Sequence, residues 1–140
     1  MARNDTDDRL RSIPIFSELS KKELRTVSRL MTQIDVKEGR ALTREGEVGR
    51  EFMIIMEGTA VVRRNGRKIA ELGAGDFLGE LAVLSGAPRT ADVIASSDMV
   101  LETLNRREFM SLLDESAAIA KKVLIGAVKR LHDLESSKTS

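Results

Sequence analysis

Residues 79–91, GELAVLSGAPRTA, place a carboxylate, Glu80, and a guanidinium, Arg89, nine positions apart in a stretch that is otherwise small or apolar. An arginine offers a planar fork of five N–H donors that matches paired phosphate oxygens, and Thr90 adds a hydroxyl beside it. Glu80 cannot serve the same anion, because like charges repel, but a carboxylate accepts hydrogen bonds from sugar hydroxyls. Gly73, Gly75, Gly79 and Gly86 surround these side chains in sequence, and glycine lets backbone N–H groups approach a ligand closely. A short helical turn at about Leu81 to Leu84 would point its N-terminus at an anion. Taken singly, Glu80 and Arg89 could be a solvated ion pair on a loop, the usual fate of charged side chains. With the glycines they read instead as a cradle for a ligand carrying one phosphate and a ribose hydroxyl.

Elsewhere the chain offers little chemistry. It has no cysteine, which excludes a disulfide scaffold, thiolate zinc sites and cysteine nucleophiles. Its one histidine, His132, builds neither a zinc site nor an oxygenase triad and reads as an exposed residue on a polar helix face, so no metal site and no catalytic residue is expected. The 23 basic and 22 acidic side chains leave a net charge of +1, so any bound anion must be held locally, and neither nucleic acid nor membrane is an expected partner. The start, MARNDTDDRLR, is charged, and no stretch approaches the roughly 18 apolar residues of a spanning helix; a cytoplasmic location is the expectation. A length of 140 residues suits one domain with a proper core.

The elements that must position these residues are mostly strands. Residues 1–31 read as a helical segment, with Ser20 and Glu23 forming a capping box ahead of Leu24, Val27, Leu30 and Met31. From 32 to 104 short β-prone runs (TQIDV, RALT, FMIIM, TAVVR, KIAEL, ADVIA, VLETL) alternate with turn signals. Asn65-Gly66 is the strongest of these, since a type I′ hairpin turn needs two residues tolerant of positive φ. The pattern predicts a mainly β fold with flanking helices: an antiparallel, jelly-roll-like β-roll of about eight strands, interrupted by the segment at 75–93. Residues 105–135 read as C-terminal helices and 136–140 as a disordered tail. In the last helix Ala120, Leu124, Ala127, Leu131 and Leu134 recur at steps of four and three, the apolar seam of a coiled coil.

FLGELAVLSGAPRTADV resembles the phosphate-binding cassette of the cyclic nucleotide-binding domain family, which includes catabolite activator proteins, kinase regulatory subunits and nucleotide-gated channels. Gly79, Glu80, Leu81, Ala82, Arg89 and Thr90 match its pattern residue by residue. EGEVGREFMIIMEGTAVV is similar to the family's preceding segment, and the likeness spans about residues 13 to 134. The resemblance implies that Arg89 pairs with the exocyclic oxygens of a cyclic phosphate, helped by Thr90 and by backbone N–H groups around Ala82 and Ala91. It implies that Glu80 accepts from the ribose 2′-hydroxyl. Val62 and Ile69 align with apolar positions that touch the base, although strand residues of this kind are first of all core. The implied ligand is cAMP, with cGMP the alternative; Thr90 leaves this open, since relatives with threonine here include cGMP-responsive ones. No cofactor is implied. In the family the final helix moves over the base, but this chain has no Trp or Tyr and all four Phe precede that helix, so an aromatic lid from it is unavailable.

The resulting expectation is a non-catalytic sensor that reports occupancy through its last helix, to a homodimer partner or an unidentified effector protein. The competing expectation is a nucleotide-independent dimerisation or docking module of the same fold. Intact Arg89 and Glu80 favour the sensor.

Overall fold

The computed structural model describes residues 9–13, 16–79, 83, 85–86 and 88–139. Among them eight strands form: β1 (Thr32–Val36), β2 (Ala41–Thr43), β3 (Glu51–Glu57), β4 (Ala60–Arg64), β5 (Arg67–Leu72), β6 (Phe77–Leu78), β7 (Asp92–Ala95) and β8 (Met99–Asn105). All pair antiparallel, in two four-stranded sheets ordered β1-β8-β3-β6 and β2-β7-β4-β5, which is the expected β-roll. At the β4–β5 hairpin Asn65 and Gly66 have φ of 52° and 77°, the double positive φ that a type I′ turn demands.

The unbroken apolar run FMIIM follows from where β3 lies. Alternate side chains of a strand point to opposite faces, and here both faces are buried. Phe52, Ile54 and Met56 face a cluster beneath the helices with Leu24, Leu104, Phe109, Leu112, Ile119 and Val123, whereas Met53 and Ile55 face the roll interior with Val36, Leu78, Val93 and Leu101. β5 is the opposite case: an edge strand with five of its six residues exposed.

Among the described residues three helices of ten residues or more pack over the first sheet. In α1 (Lys21–Leu30) the Ser20 side chain accepts from the Glu23 N–H at 3.1 Å, and Glu23 Oε1 accepts from the Ser20 N–H at 3.0 Å, the capping box read from the sequence. A second capping box, between Asn105 and Glu108, opens α2 (Arg106–Glu115). α3 (Ala117–Thr139) runs past Glu135, where a polar tail was expected, because ESSKT contains neither glycine nor proline to stop it. Its buried face also differs from the coiled-coil seam: Ile119 and Val123 are inside, while Leu124 is 62% exposed. Ser116, whose Oγ accepts from the Ile119 N–H at 3.2 Å, starts the helix where the neighbouring stripe meets the core. The seam's Ala127, Leu131 and Leu134 lie outside the described side chains.

One carboxylate sits inside this frame. Glu102, on β8 opposite Ile54, is 4% exposed. Burial pushes its carboxyl above the ordinary value, while the Arg9 guanidinium, itself bonded to Glu57 at 2.8 Å, works in the opposite direction. Below about pH 4.5 the group is protonated folded and unfolded alike and costs nothing. As pH rises past that value the unfolded chain ionises first, so folding loses stability until the buried carboxyl ionises too. Glu102→Gln should therefore raise Tm at pH 7 by roughly 3 °C, about 1 kcal/mol, with the gain shrinking toward pH 4 in a calorimetric pH series.

Candidate functional site

Arg89 follows Pro88, which forms an isolated antiparallel bridge with Val48. The Arg89 N–H donates to the Glu47 carbonyl at 2.8 Å, and its own carbonyl accepts from the Gly46 N–H at 2.8 Å, so the EGEVG turn and the end of the cassette form a small ladder. Backbone pairing on both sides fixes the root of the arginine.

The side chain then runs inward and is only 9% exposed. Its Nη2 donates to the Glu51 carbonyl at 2.8 Å, at the start of β3. Two glycines make room for it. A Cβ at Gly49 would collide with Nε and Cζ of Arg89. A Cβ at Gly79 would lie 2.6 Å from Arg89 Nη1 and 2.5 Å from the Glu51 carbonyl oxygen, and its φ of +94° is itself a glycine conformation. A guanidinium is costly to bury without hydrogen-bond partners and compensating charge. A carbonyl holds one donor of this fork, and a guanidinium is the side chain that suits an anion with two adjacent oxygens.

At the start of the cassette the Val83 N–H donates to the Gly79 carbonyl at 3.0 Å. Glu80, Leu81 and Ala82 lie outside the described residues. Thr90 is exposed, and its carbonyl accepts from Arg64 Nε at 3.3 Å. Ala91 is buried, and its carbonyl accepts from Thr43 Oγ1 at 2.9 Å. Val62 is half-buried and packs against the interior cluster, in keeping with a core residue. Ile69 does not: it is 47% exposed, because a bulge between the pairs Val62↔Ala70 and Arg63↔Lys68 lies on the edge strand. Among the described residues no group of three His, Asp or Glu side chains could hold a metal ion.

Sequence reasoning missed Gly49, the Glu51 carbonyl and Arg64. Gly49 sits in EGEVGREF, where it reads as one more turn glycine; a carbonyl anchor has no side-chain signature at all. Arg64 is hidden in the basic run RRNGRK.

Among the described residues Arg89 is the one buried arginine, and it sits at the end of a glycine-lined segment of an antiparallel β-roll. A family profile described as "Cyclic nucleotide-binding domain" matches residues 33–116, and the chain belongs to that family. It is 34% identical over 119 residues to a cyclic nucleotide-gated potassium channel of Rhizobium etli, covering 85% of this chain and 33% of the channel. The chain thus spans about a third of that curated relative's length. Among solved structures it is similar to PKAR CBD2 bound to Sp-2Cl-cAMPS, with a TM-score of 0.81, 28% identity and coverage of 95% of this chain and 91% of that one. It is also similar to the regulatory subunit of a cAMP-independent protein kinase A from Trypanosoma cruzi bound to guanosine, with a TM-score of 0.74, 29% identity and coverage of 94% and 46%.

The glycine cradle can be tested apart from the arginine. Gly49→Ala, which carries no positive-φ strain but intrudes on the guanidinium, should weaken cyclic nucleotide binding by about tenfold in titration calorimetry, some 1.4 kcal/mol. Gly73→Ala, whose Cβ meets nothing within 4 Å, should leave it within about twofold.

Proposed function

We propose that this chain is a non-catalytic sensor that binds a cyclic purine nucleotide, cAMP with cGMP as the alternative, and passes occupancy to α3. The observation that carries the reading is the buried Arg89, held by a carbonyl between two glycines in the family's cassette. In this reading Arg89 takes the exocyclic phosphate oxygens with Thr90 and Ala91 beside it. Glu80 takes the ribose 2′-hydroxyl, backbone N–H groups around Ala82 and Ala91 add donors, and Val62 and Ile69 touch the base. Relatives of this fold include one with a cAMP analogue and one, called cAMP-independent, with guanosine; the ligand therefore follows from the site and not from the fold.

Transmission is supported by a contact chain. Phe77 lies two residues ahead of Gly79, and a Cβ on Gly126 of α3 would come within 2.6 Å of its ring. Phe77 also meets Phe52 at 5.5 Å between centroids, and Phe52 stacks on Phe109 of α2 at 4.4 Å. A cassette that shifts on binding would move Phe77 against both helices, and a difference in affinity between two helix positions is what makes a switch.

One feature favours the second reading, a dimerisation or docking module. Leu124, Ile125 and Val128 of α3 are 62%, 58% and 57% exposed, an apolar face that a second copy could cover. Calorimetry separates the two. Under the sensor reading cAMP binds, Arg89→Ala lowers affinity by a hundredfold or more, and Glu80→Ala lowers it by about tenfold and erodes the preference for cAMP over its 2′-deoxy form. No heat with either nucleotide, with α3-dependent self-association in sedimentation, would establish the module instead. For transmission, Gly126→Val should keep cAMP affinity within a few-fold yet abolish the cAMP-dependent change in hydrogen exchange along α3 that the wild type shows.

A further inference from the structure

We propose that Arg9 is a proton-controlled latch: it is shared between the carboxylates of Glu57 and Glu102, and the proton on Glu102 decides which of them holds it. The three groups meet on the helix-covered face of the first sheet. Glu57 stands opposite Val100 across β3 and β8, and Glu102 lies two residues beyond Val100; residues opposite one another, and residues two apart on a strand, share a face. Two residues advance about 6.6 Å, within the sweep of one arginine side chain. Arg9 comes from the segment 9–13, which Leu10 and Ile13 anchor in the cluster beneath the helices. It lines a cavity of about 360 Å³ with Ser12, Ile13, Met56, Ala74 and Gly75, so its guanidinium has room to turn.

The two seats differ in kind. The bond from Arg9 Nη2 to Glu57 Oε1 is 2.8 Å long, but the side chains are 38% and 61% exposed, and an ion pair in that setting holds weakly. Glu102 is buried, and among the described residues nothing donates to its carboxyl. Its neighbours on that face supply no other cation. β1 brings Gln33, opposite Glu102, and the exposed Asp35, opposite Val100; β3 brings Ile54 and Glu57. α1 and α2 bring the apolar Leu24, Val27, Phe109 and Leu112. Arg9 is the cation that acts on Glu102.

A neutral Glu102 needs no counter-charge, and Arg9 rests on Glu57, the arrangement seen here. Burial holds the Glu102 carboxyl above the ordinary value, so it gives up its proton only above the pH at which an exposed glutamate does. Once it is ionised, a bare carboxylate in a poorly screened site attracts the guanidinium more strongly than the solvated Glu57 does. Arg9 then turns inward, Glu57 is released to water, and the segment 9–13 is drawn toward the middle of β8. The chain that follows is bonded to α3, Lys122 Nζ to Ser17 Oγ at 3.0 Å, so the latch bears on the same helix that lies against Phe77.

Carbon-13 NMR of the whole chain across a pH series tests this, with the Glu102 carboxyl identified by its loss in Glu102→Gln. The wild-type midpoint should lie above that of an exposed glutamate, and the Arg9 Nε–H resonance should inflect at the same pH. Arg9→Gln should raise the Glu102 midpoint by about one pH unit, and Arg9→Lys should bring most of that back. Glu57→Gln should lower it by about half a pH unit or more, because Arg9 loses its other seat, and that effect should vanish in the Arg9→Gln background. A midpoint indifferent to Arg9→Gln would overturn the proposal. So would an equal lowering by Glu57→Gln with and without Arg9, which would mean that the two carboxylates only repel through space. Should Arg9→Gln fail to fold, the wild-type Nε–H resonance decides alone: no inflection at the Glu102 midpoint sinks the latch.

Discussion

Burying one guanidinium is the constraint around which the functional half of this domain is arranged. Arg89 is removed from water, and the surroundings answer with a carbonyl from Glu51, backbone pairing to Glu47 and Gly46, and two positions, Gly49 and Gly79, that carry no side chain. Each comes from a different part of the chain. The turn before β3, the first residue of β3, the residue after β6 and the end of the cassette must all be in place before the arginine has a position. A buried cation with pre-set donors has little left to reorganise when an anion arrives, which is the physical content of preorganisation.

The same region is joined mechanically to the helices. β3 is buried on both faces, so its Phe52 contacts Phe77 beside the cassette and Phe109 of α2, while its Met53 and Ile55 fill the roll interior. α3 approaches closely enough at Gly126 that no side chain fits between helix and Phe77. Close-packed interiors transmit displacement because they have little free volume to absorb it. The short strand β6 thus ends beside the buried arginine and lies against α3.

In the proposed reading, binding and selection fall to different parts of the roll: the cassette residues address the phosphate and sugar that every cyclic nucleotide shares, and the base falls to the β4–β5 hairpin. That hairpin is exposed along β5, bulged at Ile69 and tied to the cassette by a hydrogen bond from Arg64 to the Thr90 carbonyl. Edge strands and hairpin tips bear little of the core's packing, so residues there can vary in chemistry at small cost to the fold.

The period-two runs, the Asn65-Gly66 turn and the Ser20–Glu23 capping box were legible because each is a local rule, a few neighbouring residues meeting one backbone requirement. Family membership was legible for a similar reason, since GELAVLSGAPRTA, on which the resemblance rested, keeps its pattern within thirteen contiguous residues. Which stripe of α3 faces the core was not, because two apolar stripes compete on that helix and only packing against α2 and the first sheet chooses Ile119 and Val123 over Leu124. Nor was the fate of Ile69, decided by a bulge on an edge strand, or the role of Gly49, a turn glycine until Arg89 arrives from forty residues away. By itself the sequence determined the strands, the turns and the pair of charges; the tertiary structure alone decided what surrounds them, because close approach between distant segments leaves no periodic trace in either one.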